Sequence, residues 1–186
     1  MSKKKYVNDY ELVVNTDESG RETENVVYRG EYFEISLDHR ETTLFKKNCL
    51  LLLAAVVFLH ICGGFVGNQG MYRIFVSLPY VVAFFPLIYM GEGILRLPGE
   101  KRRYRRDEVD LSFNRIKNTS MILLIILGAG VLGEITFLLF AQAEDGPGLE
   151  LLYLALEAAS ASAVYLITRL QKSISILPSG NTDGHF

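Results

Sequence analysis

The chain has 186 residues, 49% of them hydrophobic and 22% charged, with a formal net charge of −2 and two cysteines. Those numbers exclude a disulfide-stapled secreted scaffold and a strongly basic nucleic-acid-binding fold. A single soluble domain is excluded by where the apolar residues fall: stretches 49–66, 74–91, 119–141 and 149–170 each approach the roughly 20 residues that cross about 30 Å of hydrocarbon.

The expected fold is therefore a membrane all-α protein. An antiparallel, up-and-down four-helix bundle over 38–177 follows a small N-terminal cytoplasmic β-meander over 1–37 and precedes a flexible cytoplasmic tail over 178–186. In the meander, Tyr10, Leu12 and Val14 alternate with polar neighbours, Asp17-Glu18-Ser19-Gly20 reads as a turn, and Val26-Val27-Tyr28 returns. Past Arg29-Gly30, the residues Phe33, Ile35 and Leu37 share one face and suggest a third strand. So small a sheet is marginal alone and should lie on the helices or on a partner. Up to Phe45 the chain holds ten Asp and Glu against six Lys and Arg, which favours adhesion to a basic loop over adhesion to anionic lipid.

Asp38 with Glu41 three residues on reads as a helix start, so the first span should begin inside a helix already under way. Pro79 and Pro86 predict kinks and freed carbonyls in the second span, which ends at the turn signal Leu97-Pro98-Gly99. Val109, Phe113 and Ile116, spaced four and three, predict an amphipathic lead into the third span, and Pro147 suits the first turn of the fourth. Beyond Lys172 a helix is expected to run to Leu177 and break at Pro178. With no Trp, interfacial anchoring falls to Tyr72, Tyr89 and Tyr104.

The first apolar stretch begins too late for a cleaved leader, so it should remain as a span. Orientation follows from Lys and Arg. The link between spans two and three carries Arg96, Lys101, Arg102, Arg103, Arg105, Arg106, Arg115 and Lys117, whereas the other two links carry only Arg73, and that of residues 141–148 holds Glu144 and Asp145. Both termini are expected in the cytoplasm, as Arg40, Lys46, Lys47, Arg169 and Lys172 also imply. The run Lys101, Arg102, Arg103, Arg105, Arg106 has a plain topogenic explanation and would also sit against anionic headgroups.

Ionisable residues inside a span cost roughly 2.5 to 3.5 kcal/mol at a helix centre, so each requires an account. His60, Glu134 and Glu157 all fall on the order of 10 Å below the outer surface at 1.5 Å rise per residue. Glu150 would sit at the mouth, and Tyr80 could bring a hydroxyl to the same level. Gly63, Gly64 and Gly67 share the stripe of His60, while Gly130 and Gly133 lie beside Glu134, so both groups point at close-packing faces. One imidazole and two carboxylates could relay a proton or hold a divalent metal with an open position. They could equally be hydrogen-bonded glue between helices. Glu92 and Arg96 read as a simple pair, and Cys49 and Cys62, on one helix, cannot bridge.

No phosphate loop, nucleophile elbow, metal spacing or cofactor motif is present. The function expected from the sequence is non-enzymatic: association in the lipid bilayer with itself or with a membrane-protein complex, and no nucleic acid, in a bacterial plasma (inner) membrane. The alternative is a small transporter, channel or ion or proton sensor built on the His/Glu residues.

Overall fold

The computed structural model describes residues 3–16, 22–98, 103–141 and 146–179. Four helices, α1 (His39–Gly64), α2 (Ile74–Leu95), α3 (Arg106–Phe140) and α4 (Gly148–Lys172), are each long and apolar enough to cross a membrane. They run alternately up and down, with α2 packed on α3, α3 on α4 and α4 on α1, while among neighbouring helices α1 and α2 touch least. This is the four-helix bundle expected from the sequence.

Local chemistry sets the helix ends. The Glu41 carboxylate accepts the Asp38 backbone N–H at 2.8 Å, so α1 starts ten residues before its apolar stretch. Lys46 Nζ donates to the carbonyls of Leu97 (2.8 Å) and Leu95 (3.3 Å), satisfying acceptors left over at the end of α2. Both prolines lie inside α2, which remains one continuous helix. Pro79 has no N–H for the Phe75 carbonyl, and Gly133 of α3 fills that place so closely that a Cβ there would lie 2.6 Å from the Phe75 oxygen.

The strands differ from a simple meander. β1 (Tyr10–Thr16) and β2 (Glu22–Tyr28) form an antiparallel hairpin with Tyr10 opposite Tyr28 and Leu12 opposite Val26; its expected turn, Asp17 to Gly20, lies outside the described residues. β3 (Tyr32–Ile35) leaves the hairpin and becomes the centre of a second sheet, between β4 (Tyr104–Arg105) and β5 (Ile176–Ser179). Two expectations are thereby corrected. The third strand does not pair with the second, and residues past Lys172 form a strand where a helix to Leu177 was expected, because Ile176 can then enter the core beside Ile35. The tail beyond Ser179 lies outside the described residues.

The second sheet lies on a cluster that includes Ile35, Phe45, Tyr104, Val109, Phe113 and Ile116, with Phe45 and Phe113 stacked at 6.2 Å. Burying such a side chain away from water stabilises by about 1.5–3 kcal/mol. In a bilayer that gain would exist only at this end, since between spanning helices the lipid tails are as apolar as the side chains. Tyr104, expected as an interfacial anchor, is 2% exposed within the core, whereas Tyr72 and Tyr89 are exposed as expected. The hairpin and the 3-10 segment before it (Lys3–Asp9) are moored to the start of α3 by hydroxyls: Tyr10 donates to Asp107 (3.1 Å) and Tyr6 to Asp110 (2.9 Å), while Tyr28 accepts from the Arg106 N–H (3.1 Å). Burial pushes the Tyr10 and Tyr28 hydroxyls above the usual phenol range, Asp107 adding to it.

Candidate functional site

Two polar layers lie in the half of the bundle away from the sheets. The deeper one joins His60 of α1, Tyr80 of α2 and Glu157 of α4. His60 Nδ1 is 2.8 Å from Glu157 Oε1, and Nε2 is 3.1 Å from the Tyr80 carbonyl oxygen. A carbonyl only accepts, so Nε2 carries a hydrogen; the other contact then requires one proton, on Nδ1 or on the carboxyl. Either arrangement is net neutral, which suits burial in low dielectric. The imidazole stacks on the Tyr80 ring at 4.3 Å and meets Phe84 at 4.9 Å. Tyr80 thus contributes its ring and carbonyl, while its hydroxyl fills the space over Gly64. A Cβ on Gly63 would lie 3.2 Å from Glu157 Oε1, so both glycines shape this layer.

The outer layer forms where the α1–α2 link crosses the bundle. Gly67 lies beyond α1 at φ +70 with open space around it, so it serves the turn and not helix packing, as its stripe had suggested. The turn delivers Asn68, whose Nδ2 donates to Glu150 Oε2 (3.0 Å) and Glu134 Oε2 (3.3 Å). Glu150 also accepts the backbone N–H of Gln69 (2.7 Å) and of Gly70 (3.3 Å) at the head of the short 3-10 turn Gln69–Tyr72. Glu134 lies so close over Gly70 that a side chain there would have to displace its carboxyl group. Asn68, Glu134 and Glu150 are all buried, yet Glu134 Oε1 and Asn68 Oδ1 have no hydrogen-bond partner. The two carboxyl groups are within hydrogen-bonding reach of one another, a contact that is attractive only with a proton between them.

His60, Glu134 and Glu157 therefore do not meet as one cluster. The first and last pair; Glu134 pairs with Glu150 a layer above, while the Tyr153 ring lies over Gly63 beside Glu157. Among the described residues, no three His, Cys, Asp or Glu side chains are placed to hold a metal ion, and both cysteines are free thiols. Gly130 makes ordinary contact with Pro79, and Gly128 faces open space. Asn68 was not legible as a site residue, because next to Gly67 at the end of an apolar stretch it reads as a turn.

Of the basic run, Lys101 and Arg102 lie outside the described residues. Arg103 pairs with Glu34 at 3.4 Å, and Arg105 lies near Asp107 and Glu108 and over the rings of Tyr10 and Tyr28 at about 6 Å. Exposed pairs of this kind contribute at most about 1 kcal/mol. Glu92 binds Arg96 (2.8 Å), as expected, and also Arg115, which joins α2 to α3. Comparison with family models, curated proteins and solved structures finds no match.

Proposed function

We propose that the chain is a non-enzymatic, multi-pass protein of a bacterial plasma (inner) membrane with both termini cytoplasmic, and that it senses protons through Glu134 and Glu150. The observation that carries this reading is the unequal share of donors. Glu150 takes three N–H groups, whereas Glu134 takes one, shared and at 3.3 Å, and keeps a buried oxygen with none. Three donors favour an anion in low dielectric; an orphaned oxygen without a cation favours the acid. The groups that face Glu134 are Glu150, Asn68 and the Gly70 backbone, with the neutral His60·Glu157 pair and Tyr80 below, and none of them supplies a positive charge. The continuous apolar core at the sheet end supports a sensor over a channel. The cytoplasmic orientation rests on basic residues, of which the link containing Asn68 has only Arg73.

The test is the thermal unfolding midpoint of detergent-purified protein across pH, and with added sodium or calcium, for wild type, Glu134→Gln and Glu157→Gln. Infrared spectra of the carboxylic acid band accompany it. The reading expects a neutral-pH acid band lost in Glu134→Gln and kept in Glu157→Gln. It also expects a midpoint that falls with rising pH in wild type and stays flat over that range in Glu134→Gln. A band lost instead in Glu157→Gln, or a midpoint raised by either cation in wild type alone, overturns it.

A second reading, association with a second copy or a membrane complex, has its own support. The cross-strand pair Leu12 and Val26 is 67% and 65% exposed on a hairpin whose strands have no further neighbour among the described residues. Light scattering in mild detergent tests it. A mass above one chain that Leu12→Lys reduces to one supports association, and a wild-type monomer with nothing copurifying removes it.

A further inference from the structure

At the sheet end, between the start of α3 and the end of α4, lies a cleft of about 370 Å³. Its floor is a π-turn, Asp110–Asn114, inside α3. Such a turn offsets the backbone ladder, and here the Phe113 carbonyl accepts a hydrogen bond from Gln171 Nε2 of α4. The amide is thereby fixed, and its other end, Oε1, is buried at the cleft with no donor. Lys117 and Lys172 line the same cleft from facing helices, and the residues that line it include no Asp or Glu. Met121, one turn farther along α3 from Lys117, is exposed and continues the cleft onto the apolar flank of the bundle.

Two cations, one fixed acceptor and an apolar wall, at the depth where a spanning helix leaves hydrocarbon, match one class of ligand. We propose that this cleft binds an anionic glycerophospholipid with a hydroxyl-bearing headgroup, of the phosphatidylglycerol type. The phosphate lies between Lys117 and Lys172, a headgroup hydroxyl donates to Gln171 Oε1, and an acyl chain follows Met121. The inference requires only that the helices span a bilayer; it is independent of Glu134 and Glu150. A basic pocket between spanning helices is the usual setting for such recognition, at roughly fivefold in affinity per basic residue. The exposed Arg103 and Arg106 offer charge alone, whereas this cleft adds an acceptor that distinguishes headgroups.

The test is native mass spectrometry and thermal unfolding of the full chain after exchange into nanodiscs of phosphatidylcholine mixed with phosphatidylglycerol, phosphatidylserine or phosphatidic acid. Wild type is expected to retain phosphatidylglycerol over phosphatidylcholine. The double variant Lys117→Gln/Lys172→Gln, whose side chains are solvent-facing, is expected to lose that preference roughly thirtyfold. Gln171→Met is expected to keep the preference for anionic lipid but no longer rank phosphatidylglycerol above phosphatidic acid. Equal retention of phosphatidylcholine, or retention unchanged in the double variant, overturns the proposal. So does a midpoint raised by inorganic phosphate in detergent as strongly as by phosphatidylglycerol, which would assign the cleft to a soluble anion. If Gln171→Met does not fold, the wild-type ranking of phosphatidylglycerol against phosphatidic acid decides the acceptor's part.

Discussion

His60 and Glu157 hold one proton between them in either of two arrangements, because the second imidazole nitrogen is committed to the Tyr80 carbonyl. Removing one partner therefore leaves a lone polar group in the bundle, while removing both leaves none. His60→Leu is expected to destabilise by about 3 kcal/mol. The double variant His60→Leu/Glu157→Leu is expected to be more stable than His60→Leu alone. A double-mutant cycle on unfolding in mixed micelles measures the coupling, and purely additive effects would count against a shared proton.

Gly133 and Gly128 lie on the same helix with opposite surroundings. A methyl group on Gly133 meets backbone, the Phe75 oxygen, which cannot swing away. Gly133→Ala is expected to cost about 1–3 kcal/mol, separating α2 from α3. Gly128→Ala meets nothing and is expected to gain up to about 1 kcal/mol from helix propensity. Unfolding midpoints that shift in the same direction for both would contradict the packing described.

The hairpin mooring should be sensitive to alkali. Burial and Asp107 raise the folded-state titration of Tyr10 above that of the unfolded chain, so the neutral phenol is favoured by folding. That contribution is fully present below about pH 10, the unfolded value, and is lost as pH climbs beyond it. Tyr10→Phe is expected to destabilise by about 1 kcal/mol at pH 8 through the lost hydrogen bond. The difference from wild type should shrink between pH 10 and 11 in unfolding curves, and a constant gap would exclude the Tyr10–Asp107 contact as its source.

Much of this was readable from residue order, and the failures have a common cause. The four spans, the helix start at Asp38, the lead-in through Val109, Phe113 and Ile116, and the Glu92–Arg96 pair all depend on spacing within one segment, which periodicity reports. The depth of His60 and Glu157 was legible because rise per residue is fixed, and they do meet. The same rise put Glu134 level with them, yet it lies a layer farther out, where the α1–α2 link crosses the bundle, and Asn68, the residue that joins it to Glu150, has the sequence of a turn. Likewise Ile176–Ser179 carries a proline and reads as a chain break, because its only reason to be a strand is a partner near the other end of the molecule.

That long-range partner has a consequence for the order of events during synthesis. β3 is made before any span, and both of its neighbours come later: Tyr104 and Arg105 after two helices, Ile176 to Ser179 only after all four. Until Tyr104 and Arg105 are made its backbone has nothing to pair, and its other edge stays open until Ile176 to Ser179 arrive. The sheet can close only when residues 176–179 leave the ribosome and all four helices are in place, so a chain lacking that strand would carry a sticky, half-built edge that quality-control proteases can read as unfinished.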